Sequence, residues 1–220
     1  MAPQRPRHHS RYHCPLRSSQ ARSNFAAFMA FVLSVPAKAL EGPKSYHPDC
    51  EAQVNVQIQL QLYASYVYKS MAVYCNCFTV ALSHFSPFFL RRSQHWRGGA
   101  EKLIWMQNKR GGRVLFQDIL EPNTNDWHGS VQVVECAIHL ENNLRKSFLL
   151  LHRLAAEKAD PELCDFILTH YLNPQLAVLK NLEECLITLR EMRTLRESVE
   201  NYFHRLNLDD DDSGGSNKEN

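Results

Sequence analysis

Apolar residues at Val54, Ile58, Leu62 and Met71 recur at near-helical spacing, and no Gly or Pro interrupts the run from Gln57 to Met71. That pattern predicts one long amphipathic helix from about Asp49 to Cys75. Gln61 and Tyr68, seven residues apart, share a face of it with about 20° of drift. A second helix is predicted to begin at Ser86-Pro87, where proline suits the first turn. It stops at Gly111-Gly112, a C-terminal signal. Residues 113–129 contain Pro122, Asn123, Asn125 and Asp126, so they read as a long crossover, which sets the second and third helices parallel. The third helix is predicted from about Ser130 to Lys158. Asp160-Pro161-Glu162 then gives a cap, a proline and an acid to the first turn of a fourth, and Glu197–Leu206 reads as a short fifth. No strand pattern of useful length occurs, so the fold class is all-α.

Two features strain these helices. Gly98-Gly99 lie inside the second, where each costs roughly 1 kcal/mol relative to Ala. Pro174 lies inside the fourth, where it removes a backbone hydrogen bond and should kink the chain, at roughly 3 kcal/mol in a regular helix.

At 220 residues and 44% hydrophobic, the chain suffices for one globular domain with a sizeable core. The net charge of +2 hides an uneven distribution. Residues 1–40 carry six bases and no acid, leaving 19 bases and 23 acids, a balance of −4, for the remainder. The total charge is therefore no argument for a nucleic-acid partner. Three domains follow: a basic extension over 1–43, a helical body over 44–208 and an acidic tail over 209–220 that begins Asp209-Asp210-Asp211-Asp212. The acid-free extension fits a transit peptide, and its apolar run Phe25–Leu33 followed by Ala37-Lys38-Ala39 fits a secretory signal. An unstructured extension without an addressing role fits as well. The run is too short for a membrane span, which needs roughly 20 residues. Seven cysteines, an odd number mostly within helical patterns, favour reduced thiols over a disulfide framework, and Cys75-Asn76-Cys77 lacks a second pair at metal-binding spacing.

Polar residues within the helical patterns carry the candidate chemistry. Glu141, in His139-Leu140-Glu141-Asn142, and Gln175, after Tyr171-Leu172-Asn173, can point inward beside Gln61 and Tyr68. Inward polar groups from facing helices are how a bundle builds a metal site. Leu62–Tyr68 (LYASYVY), Gln107–Arg113 (QNKRGGR), Cys136–Glu141 (CAIHLE), Leu163–Phe166 (LCDF) and Thr169–Asn173 (THYLN) resemble segments of ferritin heavy chains. They stand in the family's order, and the resemblance runs without gaps from about Tyr46 to Leu189.

The resemblance implies a ferritin-like four-helix bundle with a short fifth helix, a hollow shell built with itself and other ferritin subunits, and iron as the bound ion. In ferritins that oxidise iron, two irons are held by carboxylates on three helices, a Glu-x-x-His pair and a Gln; hard iron prefers oxygen ligands. The matching positions here are Gln61, Trp96, Gly99, Glu141 and Gln175, with Tyr68 at the nearby tyrosine. Glu141, Gln175 and Tyr68 keep the family's residue types. Gln61 is a neutral oxygen ligand in place of a carboxylate, Trp96 replaces the bridging carboxylate with an N–H donor, and Gly99 removes the imidazole. Glu141 and Gln175 therefore read either as ligands of a weakly held metal, with Gln61, or as a hydrogen-bonded polar pair. Glu101 matches an inner-surface acid, its companion positions being His95 and Gly98. Asp165 matches an acid of the threefold pore, where Leu168 replaces the second, and His152 and Cys164 match other pore positions.

Three functions are consistent with this: a shell subunit for intracellular, cytoplasmic iron storage that has lost iron oxidation; an active ferroxidase with a rearranged site, using His95; and a structural or regulatory helical protein without iron. The missing bridge and imidazole weigh against an enzyme.

Overall fold

The computed structural model describes residues 46–77, 82–119 and 127–209, with the side chains of the last helix to residue 195. The basic extension and all but the first residue of the acidic tail lie outside the described residues. Helix α1 spans Pro48–Asn76 and α2 Ser86–Lys109, after a single 3-10 turn at Ser83–Phe85. Helix α3 spans Ser130–Glu157, and a short α4, Pro161–Ile167, leads through a π turn at Leu168–Leu172 into α5, Asn173–Asp209. All of these are helical, and no strand occurs among the described residues.

The ends are set by local chemistry. His47 Nδ1 accepts from the Asp49 N–H at 3.2 Å and Pro48 occupies the first turn of α1. Asp160 Oδ1 accepts from the Leu163 N–H at 3.0 Å and so caps α4. At the end of α2, Gly111 takes φ 72°. The Gly112 N–H then donates to the Gln107 carbonyl (2.9 Å) and that of Gly111 to Asn108 (3.0 Å), the paired bonds of a Schellman stop. Helix α3 ends the same way, with Ala159 at φ 54° and the Asp160 N–H donating to the Ala155 carbonyl at 2.9 Å.

Side-chain contacts fix the topology. The end of α2 lies beside the start of α1, where Tyr46 O–H donates to Gln107 and Gln107 Nε2 donates to the Glu51 carbonyl. The crossover then runs back along α1. Glu51 accepts the Arg113 N–H, Asn55 accepts the Leu115 N–H, and Gln59 donates to the Leu115 carbonyl. Near its far end the Gly129 N–H donates to the Tyr74 hydroxyl. The crossover thus carries the chain from one end of α1 to the other, and α3 starts parallel to α2, as expected. Helix α3 returns to the first end, where Arg110 pairs with Asp160 (2.6 Å) and Lys158 with Asp49 (2.9 Å). From there α4 and α5 run back against α3, reaching the Arg190–Glu135 pair at 2.7 Å.

Two expectations need amendment. Residues 197–206 are helical but form no separate fifth helix. They continue α5, a 37-residue helix of about 55 Å, because no Gly or Pro occurs between Gln175 and Asp209. The kink expected at Pro174 takes the form of the π turn just before it, where the Asn173 N–H reaches back five residues to the Leu168 carbonyl. Pro174 has no N–H to continue the regular ladder, and a widened turn is one way a helix accommodates that.

The core is strongly aromatic at mid-bundle. Trp96 stacks on Phe148 (centroids 6.2 Å, 16°), and Phe148 stacks on Tyr171 (4.5 Å, 12°). Tyr68 stacks on Phe89 at 6.1 Å. This column closes the interior on one side of the candidate site.

Candidate metal centre

The site is centred on the carboxylate of Glu141, which α3 places at the middle of the bundle with no solvent exposure. Its Oε1 accepts from Tyr68 O–H at 2.7 Å, Trp96 Nε1–H at 3.0 Å, Arg92 Nη2 at 2.6 Å and Arg92 Nε at 3.1 Å. Its Oε2 accepts from Gln175 Nε2 at 2.8 Å, and the same amide donates to the Glu141 backbone carbonyl at 2.9 Å. Five donors from three other helices converge on one carboxylate. An ionised carboxylate offers about four lone-pair sites. Oε1 is fully taken up, while Oε2 carries the single bond from Gln175.

The charge balance comes from Arg92, whose side chain is only 9% exposed. Its guanidinium lies 5.2 Å from the Trp96 ring centroid and 5.9 Å from that of Tyr68, close enough for cation–π attraction to both. Burial and the Glu141 charge hold the Tyr68 phenol well above its ordinary pKa, so it acts as a neutral donor. A buried carboxylate without a counter-charge is expensive. Here the counter-charge is an arginine on the same face of α2 as Trp96 and Gly99, four and seven residues earlier.

The remaining matched positions are less well satisfied. Gln61 is fully buried, and neither its amide oxygen nor its nitrogen meets a partner in hydrogen-bonding geometry; the same holds for the oxygen of Gln175. Gln61 fills the notch left by Gly99. A Cβ at Gly99 would stand 2.2 Å from Gln61 Oε1 and 3.2 Å from Tyr171 Cε1. Tyr171 closes this side by donating its hydroxyl to the Gly99 carbonyl at 2.7 Å. Gly98, by contrast, faces open space.

The structure therefore brings Gln61, Tyr68, Trp96, Glu141 and Gln175 into one interior, together with Arg92. Glu101 is not part of it: it is exposed and paired with Arg97 at 3.1 Å. Asp165 and Leu168 are exposed at the start of the fourth helical segment, near Cys164, whose thiol donates to the His152 carbonyl at 3.7 Å. His95 is exposed, its ring edge-on to Trp96 at 5.1 Å, and makes no hydrogen bond to Glu141. Among the described residues no three His, Cys, Asp or Glu side chains converge as metal ligands.

A match to the Ferritin-like domain family covers residues 51–192, well over half of the chain and all of the side chains that form this interior. The chain belongs to the ferritin family. Its members generally bind iron and assemble into oligomeric shells, which supports an iron storage or oxidation role for this ferritin in general terms. No helix among the described residues is long and apolar enough to cross a membrane.

The interior of this ferritin does not suit a pair of ferrous ions. Such a pair needs several anionic oxygens and a bridge between the metals. Among the described residues the interior has one carboxylate, bonded at both oxygens, with a guanidinium against it and the Trp96 indole N–H donating to it. Arg92 is the residue that the sequence reading missed. It sits in the mostly polar stretch Leu90-Arg91-Arg92-Ser93-Gln94. The available signal was its spacing of four from Trp96 and seven from Gly99, which puts all three on one helical stripe.

Proposed function

We propose that this ferritin is a subunit of a hollow shell for intracellular iron binding and storage, built with itself or with other ferritin subunits, and that it does not itself oxidise ferrous iron. The observation that carries this reading is that Glu141 is engaged at both oxygens by Tyr68, Arg92, Trp96 and Gln175, with Arg92 as its counter-charge. Glu141 and Gln175 then act as a structural pair that ties α3 to α5, with Gln61 as neutral filler beside Gly99. Iron is handled instead at exposed acids, Asp165 toward a pore and Glu101 on the shell's inner surface. With Leu168 beside Asp165, entry through a pore of this subunit alone is slow, and a mixed shell compensates. The free thiols of Cys50, Cys75, Cys77, Cys136, Cys164 and Cys185 suit a cytoplasmic setting.

The test is ferrous iron oxidation under oxygen by the purified full chain, with native mass measured alone and after co-assembly with an active ferritin subunit. A large oligomer in either setting and oxidation no faster than background are expected. Rapid, saturable oxidation by the wild type would overturn the loss of activity, and its survival in Glu141→Ala would show that other ligands hold the iron. A monomer that never co-assembles would overturn the shell.

A further inference from the structure

We infer that Arg92 determines which cation the bundle interior accepts: its guanidinium is the resident cation of Glu141 and keeps divalent metal out. This rests on the reading above, that Glu141 is a structural carboxylate, and adds the cause.

Three observations support it. The guanidinium makes its contacts to Glu141 through two nitrogens, at 2.6 and 3.1 Å, both on Oε1. It stands near the faces of Trp96 and Tyr68, so a carboxylate and two π systems form a cage for a planar monovalent cation. The Gln175 oxygen is buried without a hydrogen-bond partner and the Gln61 amide oxygen lies beside Gly99, which leaves neutral oxygen ligands in the same interior. Truncating Arg92 takes two of the five donors from Glu141 and strips its counter-charge. The carboxylate must then find another positive charge or take a proton. A divalent ion held by Glu141, with Gln175 turned oxygen-first, answers that need. Trp96 still bars a second metal, so the opened site holds a single ion and supports no bridged pair.

The test uses the full chain with Co²⁺ as the probe, read by its visible absorption and by the shift in melting temperature. The wild type, Arg92→Gln, Glu141→Gln and the double variant Arg92→Gln with Glu141→Gln are compared. The wild type reports Co²⁺ bound at exposed acids. Arg92→Gln is expected to bind one further Co²⁺ per subunit and to melt higher when it is present, and the double variant to lose both effects. A folded Arg92→Gln that binds no more Co²⁺ than the wild type would overturn the inference, as would a wild type whose own Co²⁺ binding falls in Glu141→Gln. Should Arg92→Gln alone not fold, recovery of folding in the double variant supports the counter-charge role, and no recovery overturns it. Rapid iron oxidation by the wild type would instead defeat the reading that this chain does not oxidise iron, and it is measured separately.

Discussion

The two adjacent glycines of α2 make a matched pair, because alanine at either gains the same helix propensity, about 1 kcal/mol. At position 98 a new Cβ meets nothing within 4 Å, so Gly98→Ala should stabilise by about 0.5–1 kcal/mol. At position 99 the Cβ would stand 2.2 Å from Gln61 Oε1, more than 1 Å inside ordinary contact. Gln61 is fully buried with Tyr171 beside it. Pushing it aside is an overpacking change of about 1–3 kcal/mol. Set against the propensity gain, Gly99→Ala should be neutral to about 2 kcal/mol destabilising, and about 1–3 kcal/mol below Gly98→Ala. Urea midpoints of the two variants, at matched slope, measure this difference. Equal stability, or Gly99→Ala the more stable, would refute the claim that Gln61 occupies the notch. The same pair tests whether a histidine can return at position 99 without first replacing Gln61.

Ala159, at φ 54° in the stop of α3, pays a left-handed penalty that glycine avoids. Ala159→Gly should stabilise by about 1 kcal/mol, seen as a rise of roughly 2–4 °C in melting temperature; a fall would show that the strain is not local. Burial raises the thiol pKa of Cys50 and Cys75 from 9.0 to about 11. Above pH 9 the unfolded chain releases these protons while the folded chain keeps them. Stability therefore falls between about pH 9 and 11, and Cys50→Ala with Cys75→Ala should flatten that part of the pH–stability curve.

The helices were legible because their ends carry explicit chemistry: Pro48 and Pro87 in first turns, the Asp160 cap, and Gly111-Gly112 as a stop. The parallel setting of α2 and α3 followed from the length of the crossover alone. The fifth helix was misplaced because an expectation drawn from resemblance put a break where the sequence has no breaker. At the site, Glu141, Gln175 and Gln61 could be placed in one interior from their helical positions. Their bonding could not. A charged side chain on a helix reads as solvated until the partner that draws it inward is known, and Arg92 is drawn inward by Glu141 from across the bundle. Rebuilding the oxidation site from sequence would mean Gln61→Glu, Trp96→Glu and Gly99→His; the structure adds Arg92 to that set.

Glu141 shows how a residue becomes entrenched. Tyr68, Arg92, Trp96 and Gln175 all donate to it, so its loss would strand a buried guanidinium, at roughly 3–5 kcal/mol. Folding alone gives it a role. The reverse path is equally obstructed. A carboxylate introduced at Trp96 forfeits the stack on Phe148 and shares one arginine with Glu141, while an imidazole at Gly99 collides with Gln61. Either of these two substitutions alone loses stability before a ligand set for a bridged metal pair is complete. In a helical bundle of this kind, a buried acid bonded from three neighbouring helices is therefore held in place by the fold, whether or not a metal ever meets it.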